Sequence, residues 1–286
     1  MRIIRTVAEL RAALAPERLA QRSIGLVPTM GALHAGHRSL IERARSEHDV
    51  VVVSLFVNPT QFGAGEDLAA YPRDEAADAA LAEQAGADVL FAPPLEQVYP
   101  DGFATTVHVA GLSEPLEGAQ RPGHFDGVAT VVTKLLNMAA PDAAYFGQKD
   151  AQQALVIRRL VRDLDIPVRI VVCPTVREPD GLALSSRNAY LAPAERERAV
   201  ALRRALDAVE AAVAAGARDA AIVAGAGRRA MEPYDVEPEY LALVAADTLA
   251  PVDHVEGEVL VALAARVGPA RLIDNTILNA NANGRP

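Results

Sequence analysis

Short apolar segments alternate with amphipathic segments over the first 175 residues of the chain. The apolar segments predict strands at 23–27, 49–56, 88–91, 143–146 and 168–173, with a further short strand near 107–109. Apolar residues at helical spacing predict helices at 6–19, 75–84, 126–138 and 151–164, and another that begins near Gly36. Because strands and helices alternate, we expect an α/β fold with a Rossmann-like, doubly wound parallel sheet.

The pattern changes after residue 175. Helices are predicted at 193–215 and 217–231, followed by strands at 236–244, 259–265 and 271–273. No long helix separates these strands, which favours antiparallel pairing in a smaller α+β C-terminal domain. We therefore predict two domains, 1–175 and 176–286.

The turn at 28–38 joins a predicted strand to a predicted helix and carries two histidines. Gly31 and Gly36 allow the backbone to approach a ligand closely. The new helix directs free N–H groups and the positive end of its dipole into the turn, which favours an anion. His34 and His37 could both donate to one phosphate. They could also form half of a metal site, or be ordinary polar residues at a helix start.

Three further polar clusters are candidates for the same site. Two follow predicted strands, around Asn58 and Gln61 and at 148–153, and the third is at 184–188. Ligands bind at the carboxyl edge of open α/β sheets. Lys, Arg and Ser side chains bind phosphate oxygens, while Gln and Asn bind hydroxyl and amide groups. Considered singly, Lys149 and Arg187 are typical of surface charges, and Gln61 and Gln153 of polar loop and helix positions.

Composition excludes several classes of function. The 286-residue chain has a net charge of −9, which argues against general nucleic-acid binding. No segment has the roughly 20 apolar residues of a membrane helix, and no signal-peptide pattern is present. The single cysteine, Cys173, lies in an apolar run and is expected in the core of a protein from a reducing, cytoplasmic compartment. Walker A, Gly-x-Ser-x-Gly and Cys/His metal patterns are absent.

Six motifs together resemble one enzyme family. They are PTMGALHAGH (28–37), FVNPTQF (56–62), YPRD (71–74), RPGHFDGVATVV (121–132), YFGQKDAQQ (145–153) and REPDGLALSSRN (177–188). In order and spacing they resemble the pantoate–β-alanine ligases, of the His-x-Gly-His nucleotidyltransferase superfamily. One departure is Leu184, where that family commonly has Met. Since Leu and Met have similar volumes, we expect the packing beside adenine to be kept.

The resemblance implies an ATP-dependent carbon–nitrogen ligase. Such an enzyme condenses (R)-pantoate with β-alanine to form pantothenate, through a pantoyl-adenylate intermediate, and releases AMP and pyrophosphate. ATP is then a substrate and Mg²⁺ is expected with it. The resemblance also implies a homodimer, with the first domain binding ATP and pantoate and the second acting as a lid. No nucleic-acid or membrane partner is expected.

The resemblance also implies a set of site residues. The catalytic residues would be His34, His37, Lys149 and Arg187. The ATP-binding residues would be Met30, Gly31, Ala32, Leu33, His34, Ala35, Gly36, His37, Gly147, Gln148, Lys149, Asp150, Val176, Leu184, Ser185, Ser186 and Arg187. Gln61 and Gln153 would bind pantoate, and Gln61 would also contact β-alanine. The metal ligands stay unknown, and Arg121 and His124 could either belong to the site or only brace a long loop.

Three alternatives remain open at this point. A nucleotidyltransferase of the same superfamily would keep the nucleotide in its product. A non-catalytic nucleotide-binding module would not need His34, His37, Lys149 and Arg187 together. A class I aminoacyl-tRNA synthetase is disfavoured by the acidic charge and by the lack of a tRNA-binding extension.

Overall fold

The computed structural model describes residues 1–63 and 65–279, and it divides the chain into two compact units. The first contains Met1–Gln148 and Gln152–Pro174. The second contains Lys149–Ala151 and Thr175–Pro286, of which residues 280–286 lie outside the described range. In the described residues, no helix has both the length and the apolar character needed to cross a membrane.

A six-stranded parallel sheet forms the centre of the first unit. Its strands are β1 (Arg2–Ile4), β2 (Ile24–Thr29), β3 (Val50–Leu55), β4 (Val89–Phe91), β5 (Ala143–Gly147) and β6 (Arg169–Cys173), in the spatial order β1-β4-β3-β2-β5-β6. The valines at 50–53 are all at most 4% exposed, as expected for a strand that is covered on both faces. The predicted α/β class with a parallel sheet is confirmed.

Helices connect the strands of this sheet. They are α1 (Val7–Leu19), α2 (Ala35–Glu47), α3 (Glu75–Gln84), α4 (Leu95–Val98), α5 (Glu117–Gln120), α6 (His124–Ala139) and α7 (Ala151–Asp163). Leu40, Ile41 and Ala44 give α2 an apolar face that packs into the core below the sheet. Cys173 lies in the same core, where burial raises the pKa of its thiol.

The order of the strands reverses between β2 and β5. These two strands pair directly, while β3 and β4 extend from β2 on one side and β6 extends from β5 on the other. Such a reversal opens a crevice at the carboxyl ends of the strands, where open α/β sheets bind ligands. The segments that follow β2 and β3, residues 30–34 and 56–61, are therefore placed to form a site.

The second unit is an antiparallel sheet covered by helices. Its elements are α8 (Pro193–Ala199), α9 (Ala201–Ala214), α10 (Ala220–Met231), β7 (Pro238–Ala245), β8 (Glu258–Val267) and β9 (Ala270–Asn279). The strands pair in the order β7-β8-β9. Leu206 and Val209 of α9 join Val261 and Leu263 of β8 in one apolar core. The smaller α+β fold predicted here is confirmed.

Several sequence predictions differ from the structure in detail. The long helix predicted at 193–215 is interrupted at Val200, although its apolar pattern continues through the break. The predicted strand near 107–109 is absent, because Val107 donates its N–H to the Thr130 side chain and not to a neighbouring strand. Asp126 does not cap α6, which begins two residues earlier after Gly123, and its carboxylate contacts His108. The three-residue strand β1 was not predicted.

Candidate active site

The turn between β2 and α2 is held in an unusual backbone conformation. Gly31 and Ala32 have φ angles of +90° and +50°. A Cβ on Gly31 would lie 3.0 Å from Asp78 Oδ2 and 3.1 Å from Leu55 Cδ1, so both conformation and space favour glycine. The carboxylate of Asp78, on α3, accepts the N–H groups of Ala32 at 3.0 Å and Leu33 at 2.6 Å. The backbone of the turn is therefore held by two hydrogen bonds to one buried carboxylate.

Two histidines cap the helix that follows this turn. His34 Nδ1 accepts the N–H of Gly36 at 3.1 Å, and His37 Nδ1 accepts the N–H of His34 at 3.3 Å. The ring centroids are 4.2 Å apart. Since both Nδ1 atoms accept, each ring in its neutral form carries its proton on Nε2. The structure thus brings together two imidazole donors at a helix N-terminus, an arrangement suited to phosphate.

Gln61 lies on the neighbouring 3₁₀ turn, Pro59–Gln61, which follows β3. Its Oε1 accepts from Asn58 Nδ2 at 3.1 Å, and its Nε2 contacts Met30 Sδ at 2.8 Å. Asn58 is 1% exposed, and its Oδ1 also accepts from Thr60 Oγ1 and Tyr99 Oη, each at 2.9 Å. The predicted pantoate residue Gln61 therefore contacts the predicted ATP residue Met30.

The two adjacent glutamines at the start of α7 have different surroundings. Gln152 is buried, and it donates to the carbonyls of Leu112 and Pro115 and accepts the N–H of Glu117. It therefore braces the loop before α5. The predicted pantoate residue Gln153 is half-buried on the same helix, and Gly147 and Gln148 stand at and after the end of β5.

The remaining predicted ATP residues belong to the second unit, which holds them in a compact loop. Leu184 donates its N–H to the Val176 carbonyl at 3.0 Å, and Ser185 Oγ accepts the N–H of Arg187 at 3.3 Å. Ser186 and Arg187 open the 3₁₀ turn Ser186–Tyr190. These side chains are half-buried.

A buried ion pair supports this loop. Arg177 makes a two-pronged contact with Asp274, at 2.6 and 2.9 Å, and Asp274 is 2% exposed. The next residue, Asn275, donates from Nδ2 to the carbonyl of Lys149 at 2.8 Å. The Lys149 ammonium lies 3.4 Å from the carboxylate of Asp150. One segment of β9 thus contacts two predicted phosphate-binding regions, through the Arg177 side chain in the loop after Val176 and through the backbone carbonyl of Lys149.

Sequence reasoning missed the residues that support the site. Asp78 lies in an Ala-rich helical pattern, Tyr99 in a loop, and Asp274 in an apolar strand. None of these positions belongs to a chemical motif. The burial of Asp78 and Asp274 follows only from packing in three dimensions. Among residues 1–63 and 65–279, the structure has no group of three or more His, Cys, Asp or Glu side chains arranged to hold a metal ion.

Comparisons with known proteins identify the family. The family model described as pantoate-beta-alanine ligase matches residues 2–277. Pantothenate synthetase of Moorella thermoacetica is 54% identical over 286 residues, covering 98% of this chain and 100% of the relative. The Agrobacterium fabrum pantothenate synthetase is 54% identical over 281 residues, covering 97% of this chain and 96% of the relative.

Solved structures agree with these relatives. Thermus thermophilus pantothenate synthetase has a TM-score of 0.92 and 51% identity, covering 98% of this chain and 99% of that one. The Francisella tularensis pantoate-beta-alanine ligase, complexed with beta-gamma ATP and beta-alanine, has a TM-score of 0.80 and 36% identity, with 97% of each chain covered. With its parallel sheet, its histidine-capped turn and these relatives, the chain belongs to the pantoate–β-alanine ligase family of enzymes.

Proposed function

We propose that the enzyme joins pantoate to β-alanine at the expense of ATP, through a pantoyl-adenylate intermediate. The observation that carries this proposal is the turn at the reversal of the strand order, where His34 and His37 cap α2 and Met30 contacts Gln61. The turn that carries these donors, suited to phosphate, therefore also contacts an amide suited to a hydroxy acid, through Met30. The name of the Francisella relative's complex, with beta-gamma ATP and beta-alanine, supports the same substrates.

The first step forms a mixed anhydride. A carboxylate oxygen of pantoate attacks the α-phosphorus of ATP, and the bond from that phosphorus to the bridging oxygen of the β-phosphate breaks. Pantoyl adenylate and pyrophosphate result. Negative charge develops on the α-phosphoryl oxygens and on the leaving pyrophosphate, so fixed positive groups and N–H donors lower the barrier. His34, His37, Lys149 and Arg187 are the proposed groups, with His37 as the main acid or charge stabiliser.

The second step transfers the acyl group to the amine. The neutral amine of β-alanine attacks the acyl carbon, the bond from that carbon to the phosphate oxygen breaks, and AMP leaves. The new amide nitrogen loses a proton. The oxygen of the Gln61 side chain is the proposed contact for the amine of β-alanine. Gln61 and Gln153 are the proposed contacts for the hydroxyl and carboxylate oxygens of pantoate.

The other predicted residues are proposed to bind the rest of ATP. The hydroxyls of Ser185 and Ser186 would bind phosphate oxygens. The backbone at 30–36, at Gly147–Asp150 and at Val176 would bind phosphates, ribose and adenine, with Leu184 packed beside the base. A domain division at 175, with the second domain as a lid over bound ATP, is proposed on the same resemblance.

Mg²⁺ is proposed to enter with ATP and not as a resident ion. The described residues offer no cluster of metal-ligating side chains, so they do not fit a dedicated protein site for the ion. Mg²⁺ commonly keeps several waters and binds through substrate phosphates. A homodimer and a cytoplasmic location are also proposed, the first from the family resemblance and the second from the single cysteine, Cys173.

An omission experiment tests the proposed reaction. Purified protein is given ATP, Mg²⁺, pantoate and β-alanine, each left out in turn, and AMP and pyrophosphate are quantified. We expect AMP only with the complete mixture. When β-alanine is left out, we expect at most one pyrophosphate for each enzyme molecule. A nucleotidyltransferase that keeps the nucleotide in its product would release pyrophosphate without AMP. If ATP is untouched in the complete mixture, the proposal is wrong.

A further inference from the structure

We propose that Glu66, Arg121 and His124 form a clamp on the backbone of Gln61 and thereby set the affinity of the site for pantoate and β-alanine. This inference rests on the proposed role of Gln61. The three residues, called the Gln61 clamp below, act as positioning residues. They reach the substrates only through Gln61.

Two side chains converge on one carbonyl oxygen. His124 Nδ1 lies 2.8 Å from the Gln61 carbonyl oxygen, and Arg121 Nη2 donates to the same oxygen at 3.3 Å. Arg121 Nη1 lies 3.1 Å from His124 Nε2, so the two side chains also contact each other. Glu66 completes the clamp with two hydrogen bonds from Arg121, at 2.8 and 2.6 Å.

The hydrogen bonds define the state of His124. A carbonyl only accepts, so Nδ1 carries the proton. A guanidinium only donates, so Nε2 is the acceptor. His124 is therefore neutral, with a fixed tautomer, and both of its nitrogens are used. Burial, reinforced by the charge of Arg121, lowers its pKa to about 4. The ring cannot serve as a general acid or base and also keep these bonds.

Arg121 is likewise committed to its protein partners. Its side chain is 17% exposed and that of Glu66 is 25% exposed. The paired carboxylate neutralises the guanidinium, and the pKa of Glu66 is lowered by this hydrogen bond. An arginine that already makes a bidentate pair with one carboxylate has few N–H donors available for the carboxylate of a substrate. A direct substrate contact is thus less consistent with the geometry than a positioning role.

The rest of the Gln61 turn is fixed from the opposite side. Asn58 holds the Gln61 amide and also donates to the Gly127 carbonyl at 3.1 Å. A Cβ on Gly127 would lie 2.4 Å from the Thr60 carbonyl oxygen, so α6 approaches the turn as closely as a backbone can. Asn58 therefore orients the side chain of Gln61, and the clamp orients its carbonyl. Both are needed to define where the amide points.

A pair of His124 variants tests the clamp. In His124→Ala the donor to the carbonyl is lost, and we expect KM for pantoate and β-alanine to rise about tenfold, with KM for ATP changed less than about twofold. His124→Asn can place its Nδ2 donor near the position of Nδ1, and it should recover most of that loss. The control is His108→Ala, which removes an exposed histidine that contacts Glu114 and Asp126.

The deciding measurement is non-additivity with Gln61→Ala. If the clamp acts through Gln61, His124→Ala should change kcat/KM for pantoate less than about twofold in the Gln61→Ala background, against about tenfold alone. Glu66→Gln is a milder change that weakens the hold on Arg121. Its effect on kcat/KM for pantoate should likewise be smaller in the Gln61→Ala background, and it provides the test if His124→Ala folds poorly.

Two results separate failure of the clamp from failure of the proposed function. If Gln61→Ala alone leaves KM for pantoate and β-alanine unchanged, the role of Gln61 itself is wrong. Suppose instead that Gln61→Ala raises these KM values as expected. If His124→Ala and Glu66→Gln then reduce kcat/KM by the same factor with and without Gln61→Ala, or raise KM for ATP as much as KM for pantoate, the clamp is only a structural brace and the inference is overturned.

Discussion

At the scale of single residues, the site depends on how a few polar groups are held. His34 and His37 each use Nδ1 to accept a backbone N–H of the same turn. Their Nε2 donors therefore have fixed directions before any ligand binds, and such preorganisation lowers the reorganisation that a phosphoryl-transfer step of the proposed kind requires. The same principle applies to Asp78, which fixes the turn that precedes them.

Replacing His37 should affect the first chemical step. His37→Ala removes an Nε2 donor and the acceptor for the N–H of His34, so we expect pyrophosphate release from ATP and pantoate to slow by about 100-fold or more. The control is Arg38→Ala on the same helix, which removes only an exposed ion pair with Glu42. A rate for His37→Ala close to that of the control would show that His37 has no catalytic role.

Replacing Asp78 tests the support of the turn. In Asp78→Asn an amide would face one of the two N–H groups, of Ala32 or Leu33, and leave it without an acceptor. We expect kcat/KM for ATP to fall by roughly tenfold to a hundredfold. Asp74→Asn is the matched control, since Asp74 caps the same helix by accepting from Ala77, and Asn is an equally good cap. Equal losses in both variants, measured by steady-state kinetics, would rule out a specific role for Asp78.

At the scale of elements, the close contact between α6 and the Gln61 turn depends on Gly127. A methyl group there would meet the Thr60 carbonyl oxygen at 2.4 Å and the Gln61 Cα at 2.7 Å. Either α6 or the turn must move to admit a side chain. The Gln61 amide would then shift from its contacts with Asn58 and Met30.

The variant Gly127→Ala should therefore lose both stability and substrate affinity. We expect the free energy of unfolding to fall by about 2 kcal/mol, with KM for pantoate raised. Gly225→Ala in α10 is the matched control, because a Cβ there meets only the end of Arg229, at 3.2 Å. It should stabilise the protein by about 0.5–1 kcal/mol. Urea unfolding measures the change in free energy of unfolding for each variant. If this change has the same sign in Gly127→Ala and Gly225→Ala, the argument is wrong.

Helix bounds were predicted correctly only where a local sequence pattern marks them. The helix at 75–84 was predicted at its observed bounds, with Gly86 as its stop, and Gly86 follows its last residue by two positions. The break at Val200 was missed, since the apolar pattern is continuous across it. The start of α6 was misplaced because Asp126 resembles a cap, whereas its carboxylate contacts His108.

At the scale of the whole molecule, the alternation of strands and helices predicted the fold class, which is confirmed. Motif resemblance predicted the family. The supporting network could not be predicted in this way. Asp78 and Asp274 act through burial, and all three of Asp78, Asp274 and Glu66 act through contacts distant in sequence; Glu66 and Arg121, for example, are separated by 55 positions in the sequence. Such pairs carry no local pattern.

Stability should depend on pH through His124. Its pKa in the folded state, about 4, lies below the ordinary value of 6.5. The unfolded chain therefore takes up the proton first as the pH falls. The contribution of this residue is complete above pH 6.5 and is lost progressively down to about pH 4, for a total of roughly 3 kcal/mol.

This dependence can be measured by urea unfolding at several pH values between neutral and about pH 4. The variant His124→Asn should show a shallower loss of stability than the unchanged protein over that range. His108→Asn is the control, because an acidic neighbour, Asp126, raises the pKa of His108 and its effect has the opposite sign. Identical pH profiles for the unchanged protein and His124→Asn would contradict the neutral, half-buried state of His124.

The most direct test of the account follows one oxygen atom. Pantoate labelled with ¹⁸O in its carboxylate is converted with ATP and β-alanine, and the products are analysed by mass spectrometry. If pantoate attacks the α-phosphorus, one labelled oxygen must appear in AMP and none in pyrophosphate. Label in a product of the β- or γ-phosphate, or AMP without label, would contradict the pantoyl-adenylate intermediate and the roles assigned to His34, His37, Lys149 and Arg187.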